Sequence, residues 1–253
     1  MSGMRSAPPA QSDDLALLLQ IELSRVAAEP PGWTIATGLR AIDNGVTGDC
    51  LEIFHIDDQR LGVLVIDVAG RGAGAALGAY SQKEALKLAM RSGMDPAAAL
   101  TFLKSHQPEL ETNFFSAFLG ILDPDTGGLS YANAGHPPAL VVDDAGRTRA
   151  LGRTGPIVGF VDPVWTVEAT TIAPGEALAI YTDGLIETRN AAGDYYGASS
   201  VVNALATMDC DEAPDVVDHL LNDLHRFHDG PVADDVTLVV LCRHPLNRDC
   251  DNC

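Results

Sequence analysis

Four aspartates carry the strongest chemical signal in this sequence. Each ends an apolar, strand-like run or starts one, beside a small or turn-forming residue: Asp49 follows Gly48, Asp67 comes just before Gly70, Asp183 precedes Gly184 and Asp234 follows Ala233. Asp67 lies inside "VLVIDVAGRGAGAAL", Val63 to Leu77, where an apolar run, one acid, a glycine-rich bend and a set of alanines follow in turn. Two chemistries suit such a stretch: glycines whose backbone cradles a phosphate, or an acid that holds a metal while the glycines turn the chain away. The neighbouring runs "DCLEIFHI" and "LGVLVIDV" are separated by "DDQR", which reads as a hairpin connection. Pairing Ile56 with Leu61 sets Asp49 close to Val68 and therefore near Asp67. Asp183 at the exit of "ALAIYTD" and Asp234 at the entry of "DDVTLVV" meet in the same way if those strands are antiparallel neighbours. Four carboxylates on one rim raise one another's pKa unless cations sit between them. All-oxygen ligands suit Mg²⁺ or Mn²⁺, and the lack of a matching His or Cys set argues against zinc.

The elements that must position these acids read as follows. Met1 to Ser12 fits a disordered start, and Asp13 to about Ala28 reads as an amphipathic helix that Pro30, Pro31 and Gly32 end. Strands are expected at "WTIATGLRAI", "DCLEIFHI" and "LGVLVIDV"; helices follow over 74–92 and 95–106, the second with Asp95 as N-cap and Pro96 at its first position. Then come "SAFLGILD", "GLSYANAG", "PALVVDD", "VWTVEATTI" and "EALAIYTD" as strands, helices near 198–207 and 213–228, and a last strand, "DVTLVVLC". Strands and helices come in groups instead of alternating, so the class is α+β with antiparallel sheets.

At 253 residues and 46% apolar content, one domain with a substantial core is the expectation. The charge of −19, from 16 Lys+Arg against 35 Asp+Glu, argues against nucleic acid or an anionic membrane as partner. It also means that an anionic substrate needs cations at the site to approach. No apolar run is long enough for a membrane span, and "LALLLQI" follows Asp13 and Asp14 instead of a basic region, so a cytoplasmic location is expected. Five irregularly spaced cysteines do not suggest a disulfide framework. Cys250 and Cys253, with Cys242 and His244 upstream, read as part of a frayed tail more than as a metal site.

Six motifs, "TGDCLE", "VIDVAGRGAGAAL", "FFSAFLGILDPDTGGLSYANAGHPPALVV", "GPIVGF", "LAIYTDGLIETRNAAGDYYG" and "ADDVTLVVL", occur in family order from about Gly45 to Leu241. In these the chain resembles the metal-dependent protein phosphatases (PPM, or protein phosphatase 2C-like), in the branch of SpoIIE and RsbU. The resemblance implies an αββα sandwich of two antiparallel sheets flanked by helices, with two Mn²⁺ or Mg²⁺ ions at one edge. Carried over by position, Asp67 is implied as the bridging ligand with the Val68 carbonyl beside it, and Asp49, Asp183 and Asp234 as further ligands. Asp67 and Asp183 are the implied catalytic positions. This favours metal at Asp67, and the phosphate-loop alternative also lacks a Gly-Lys-Ser/Thr ending.

The implied domains are a disordered 1–12, a short N-terminal helix within 13–30, the phosphatase domain over 31–243 and a flexible tail over 244–253. The implied reaction is hydrolysis of phosphoserine or phosphothreonine on a phosphorylated STAS-domain protein, an anti-sigma-factor antagonist or stressosome component, by a phosphatase of the freestanding RsbX kind. The alternative is a pseudophosphatase that binds a signalling partner without turnover; the N-terminal helix also leaves a dimer open. Asp235, one residue on from Asp234, should face away in a strand. Arg71 is a surface cation or an attractor of the substrate phosphate, and His136 a loop-stabilising histidine before a catalytic acid. His225 and His228 are expected to be solvated at a helix end. The first motif departs from Gly-Gly-Asp-aromatic-aromatic-Asp: Asp49 is kept, Cys50 reads as a strand residue, and Glu52 stands where Asp is usual, which bears on metal affinity.

Overall fold

The computed structural model describes residues 22–41, 47–70, 72–106, 114–159, 163–206, 208–228 and 234–245. In chain order its elements are β1 (Ser24–Val26), β2 (Trp33–Arg40), β3 (Asp49–His55), β4 (Leu61–Val68), α1 (Gly72–Arg91), α2 (Pro96–His106), β5 (Phe115–Leu122) and β6 (Gly128–Ala134). They continue with β7 (Ala139–Val142), β8 (Thr148–Leu151), β9 (Glu168–Thr171), β10 (Ala177–Tyr181), α3 (Asp183–Glu187), α4 (Gly197–Leu205), a 3₁₀ turn at Cys210–Glu212, α5 (Ala213–His228) and β11 (Val236–Arg243).

Two sheets result, one ordered β1-β3-β4-β5-β6-β9 and the other β2-β11-β10-β7-β8. Every strand pairing is antiparallel except β1 with β3. The pleat of each strand sorts its residues into layers. Leu51, Ile53, Val63 and Val65 of the first sheet pack with Ile180 and Val239 of the second in a core between the sheets. The alternate residues Cys50, Phe54, Leu64 and Ile66 face outward onto α1 and α2, and Ala179, Leu238 and Val240 face α4 and α5. β4 is therefore covered on both faces, which is why it is apolar at nearly every position. This is the αββα sandwich.

Helix ends follow local chemistry. Asp95 Oδ1 accepts the Ala98 backbone N–H at 2.7 Å, the N-cap expected for α2. The buried stripe of α1, Ala76, Ala79, Leu86 and Met90, has helical spacing and includes one charge, Lys83.

Several expectations need correction. The helix over Asp13–Ala28 does not extend through its described end: after Glu22 and Leu23 the chain forms β1, which pairs in parallel with β3 and satisfies the edge of that strand. Residues 13–21 lie outside the described residues, as do 1–12 and the Cys250–Cys253 tail. The β3–β4 hairpin is shifted by one residue, with His55 opposite Leu61 and Asp49 directly opposite Asp67. The turn sets this register: Asp57 Oδ1 accepts the Gln59 and Arg60 N–H groups, and the Ile56 N–H donates to the Arg60 carbonyl at 2.9 Å. Of "VWTVEATTI" only Glu168–Thr171 is strand, because Trp165 turns inward and its indole N–H donates to the Pro156 carbonyl at 2.7 Å. Strand β8 was not anticipated; three of its four residues are exposed and show no apolar alternation.

A disulfide also departs from expectation. Cys210 and Cys242, 32 residues apart, are bonded and join the 3₁₀ turn before α5 to β11. Closing a loop of that length constrains the unfolded chain, so Cys242→Ser should lower unfolding free energy by about 2–4 kcal/mol, read from denaturant midpoints. Peptide mapping without reductant should recover the linked pair, and free thiols at both positions would contradict it.

Candidate functional site

Asp49 begins β3 and Asp67 is the last residue but one of β4, and the register places them side by side. Both continue the face that carries Leu51, Ile53, Val63 and Val65, so they extend the inter-sheet core to its rim. The second sheet ends at the same rim. β10 pairs with β11 through Tyr181 and Leu238, and the Thr182 N–H donates to the Thr237 carbonyl at 3.0 Å. Asp183 then opens α3, while Asp234 and Asp235 lead into β11.

Hydrogen bonds join the sheets at this point. The hydroxyls of Thr182 and Thr237 donate to Asp49 Oδ2 at 2.9 and 2.8 Å, and the Thr237 N–H donates to the Thr182 hydroxyl at 2.9 Å. The Asp49 N–H donates to the Thr47 hydroxyl at 2.8 Å, and the Gly48 N–H to Asp235 Oδ2 at 3.0 Å. Gly184 permits the closest approach, since a Cβ there would lie 2.1 Å from the Asp235 carbonyl oxygen.

Asp49, Asp67, Asp183, Asp234 and Asp235 line one cavity of about 400 Å³, together with Val68. Burial pushes the Asp49 carboxyl well up, Asp67 adds to this, and the two threonine hydroxyls pull it down. Burial, then Asp183, Asp234 and Asp235, push Asp67 up to about 7. Asp183 is raised by burial and then by Asp234 and Glu187. These carboxylates are thus held together against their own repulsion.

Among the described residues no three such side chains gather into a ready-made metal cage. Mg²⁺ and Mn²⁺ sites retain several waters and need few protein ligands each, so an open cavity lined by hard oxygen donors and lacking nitrogen or sulfur ligands suits them.

The other candidates sort by geometry. Asp235 lines the cavity instead of facing away, because β11 starts only at Val236 and strand alternation does not reach position 235. Glu52 lies on the opposite face of β3 from Asp49, buried against α1, with Lys83 and Lys87 at 3.0 and 2.5 Å. The altered residue of the first motif therefore does not enter the cavity. Cys50 also faces the helices, and burial pushes its thiol up.

His136 is fully buried, its Nδ1 2.7 Å from the Ser116 hydroxyl and its N–H donating to Asn133 Oδ1 at 2.8 Å. Ser116 lies opposite Asp67 on β5 and lines the cavity, so His136 supports the site from behind. The His228 Nδ1 hydrogen-bonds the Arg189 carbonyl at 2.6 Å, while His225 is exposed. Arg71 lies outside the described residues.

Sequence reasoning passed over Thr182, Thr237, Ser116, Glu187 and Arg153. The two threonines have a signal: Thr237 is a polar residue inside the apolar run of β11, and Thr182 directly follows the apolar run of β10, both fully buried. Glu187 follows Asp183 by one helical turn.

The family model described as Stage II sporulation protein E (SpoIIE) matches residues 57–244, well over half of the chain. The chain is 26% identical to protein IcfG of Synechocystis sp. over 79% of its own length and 36% of that protein's. It is 30% identical to the phosphoserine phosphatase RsbP of Bacillus subtilis over 56% of its length and 37% of RsbP's. It thus spans little more than a third of either relative. A crystal structure of the RsbU and RsbW domains of Rv1364c from Mycobacterium tuberculosis superposes with a TM-score of 0.73 at 26% identity, covering 87% of this chain and 62% of that one.

Two consequences can be measured. Gly184→Ala should lower stability by about 1–3 kcal/mol, because a methyl group must displace the Asp235 backbone; an unchanged melting temperature would show the approach to be looser. Burial pushes His136 down to about 3, so the unfolded chain binds a proton there that the folded chain does not. Stability from this group is complete above the unfolded value near 6.5 and is lost as pH falls from there toward 3. His136→Gln should flatten the acid limb of a thermal-stability profile taken in chelator by up to about 1.4 kcal/mol per pH unit. Parallel limbs for the two proteins would rule this out.

Proposed function

This chain belongs to the SpoIIE family of the metal-dependent, PP2C-like phosphatases, and we propose that it hydrolyses phosphoserine or phosphothreonine monoesters at the cavity ringed by Asp49, Asp67, Asp183 and Asp234. The observation that carries this reading is the convergence of acids from both sheets on one rim, with Asp49, Asp67 and Asp183 raised by burial and by their neighbours. Such an arrangement is stable at neutral pH when divalent cations balance it.

In this reading Asp49, Asp67, Asp183 and Asp234, with the Val68 carbonyl, would hold two Mn²⁺ or Mg²⁺ ions. When bound, the ions supply Lewis acidity toward a water molecule and charge neutralisation for the phosphoryl oxygens. The chain supplies the rest. Thr182 and Thr237 engage Oδ2 of Asp49, which fixes the rotamer of its carboxylate and leaves Oδ1 for a ligand role. His136 fixes the Ser116 hydroxyl beside Asp67. No described cysteine lines the cavity, so the attacking group is water and not a thiolate. Monoester hydrolysis has a very high uncatalysed barrier, and fixed charge at the transferring group is the main means available here to lower it.

The partner best suited to this reading is a phosphorylated STAS-domain protein of a stress-response or sigma-factor pathway. The likeness to RsbP, a named phosphoserine phosphatase, supports the phosphoserine part of this reading. The pseudophosphatase alternative rests on the altered first motif and the acidic surface; of the first, Glu52 faces α1.

The test is hydrolysis of p-nitrophenyl phosphate by wild type, Asp67→Asn and Asp183→Asn, with Mn²⁺, with Mg²⁺ and with chelator. Turnover should require the metal and fall by roughly 10²-fold or more in each variant, with circular dichroism unchanged. Folded wild type that releases no phosphate from this substrate or from a phosphoserine protein, in either metal, would refute the assignment.

A further inference from the structure

We infer that Arg153 is the residue through which this cavity grips the phosphoryl group of its substrate, an assignment that rests on the phosphatase reading above. The cavity poses an electrostatic problem. Six carboxylates line it, the five aspartates and Glu187, and the chain as a whole carries −19. Even with divalent cations bound, a phosphate dianion approaches through a negative field, and a positive side chain at the mouth lowers that barrier.

Among the described residues lining the cavity, Arg153 is the single Lys or Arg. It is also uncommitted. Arg60, Arg147 and Arg149 each hold a carboxylate at 2.6 to 2.7 Å, whereas Arg153, among the described residues, makes no hydrogen bond or ion pair. A guanidinium that faces six carboxylates in one cavity yet pairs with none is free for an incoming anion.

The backbone beneath it is fixed. The Thr154 N–H donates to the Asn133 carbonyl at 2.9 Å, the Asn133 N–H donates to the Thr154 hydroxyl at 3.0 Å, and the Thr166 N–H donates to the Thr154 carbonyl at 3.1 Å. Gly155 bridges to Ala134, and the Trp165 ring fills the space that a Cβ at 155 would need. Arg153 is thus an exposed side chain on a held base, a suitable form for a group that must meet a ligand at a set position.

Its location complements the acids. Along the first sheet the order is β3, β4, β5, β6, with Asp49 and Asp67 on β3 and β4 and the Arg153 segment joined to the end of β6. A phosphoryl group in the cavity therefore meets the acids from one side and the guanidinium from the other. The planar fork of arginine matches two phosphoryl oxygens at once, which lysine cannot reproduce.

The experiment compares wild type, Arg153→Ala and Arg153→Lys in Mn²⁺, by steady-state kinetics on p-nitrophenyl phosphate and by calorimetric binding of inorganic phosphate. Arg153→Ala should raise KM and the phosphate Kd about tenfold or more, with kcat within about threefold and the melting temperature unchanged. Arg153→Lys should recover only part of the binding. Unchanged phosphate Kd in Arg153→Ala overturns the inference, as does full rescue by lysine, which would reduce the role to a point charge. If wild type binds phosphate but shows no turnover, the phosphatase reading fails separately, and the calorimetric comparison still decides the role of Arg153.

Discussion

A carboxylate buried at the seam between two sheets governs the architecture of this molecule. Asp49 belongs to the first sheet, and its Oδ2 takes both of its side-chain donors, Thr182 and Thr237, from the second. A buried charge without partners would cost several kcal/mol, so this cluster can exist only if both strand ends arrive together. The same bonds that dock the sheets therefore align the acids: Thr182 immediately precedes Asp183, and Thr237 follows Asp234 and Asp235 by two or three residues. Sheet packing and site geometry are one interaction counted twice.

This coupling explains why the rim tolerates so much negative charge. The inter-sheet core of Leu51, Val63, Val65, Ile180 and Val239 fixes the strands from below, and the threonines fix Asp49 from the side. Repulsion among the acids then cannot relax by spreading the strands; burial and, after it, this repulsion raise the proton affinity of Asp67 and Asp183. A site strained in this way is selective for what relieves it, and divalent cations with oxygen preference relieve it most directly.

Much of this was legible from residue patterns. Acids at the ends of apolar runs, flanked by glycine, marked the rim, and the grouping of strands marked two antiparallel sheets. The errors have local causes. The hairpin register differs by one residue from the expected one because the Asp57 side chain closes the turn between Ile56 and Arg60, which apolar periodicity does not reveal. Ser24–Val26 carried a helical pattern yet pairs with β3, since an open strand edge outweighs the helix propensity of three residues. Asp235 lines the cavity, against strand alternation, because β11 starts only at Val236. Arg153 left no pattern to find: its role depends on a loop meeting the end of β6, a long-range juxtaposition.

Glu52 shows how the same reasoning separates fold from chemistry. A change from the family's usual Asp, three residues from a metal-site candidate, reads in sequence as a change at the site. In the fold, three residues along a strand means the opposite face, and there Glu52 meets Lys83 and Lys87 of α1. Lys83 is itself fully buried and donates to the Glu22 carbonyl at 2.5 Å, so one ammonium ties β3, α1 and the residues leading into β1. Removing Glu52 would leave the buried Lys83 ammonium to Glu84 at 3.1 Å and the Glu22 carbonyl, and truncating one member of such a buried pair costs more than the intact pair adds in net stability. The extra methylene of Glu52 is thus an adjustment to the helix layer, and the chemistry of the rim, on the other side of the strand, is insulated from it by the backbone itself.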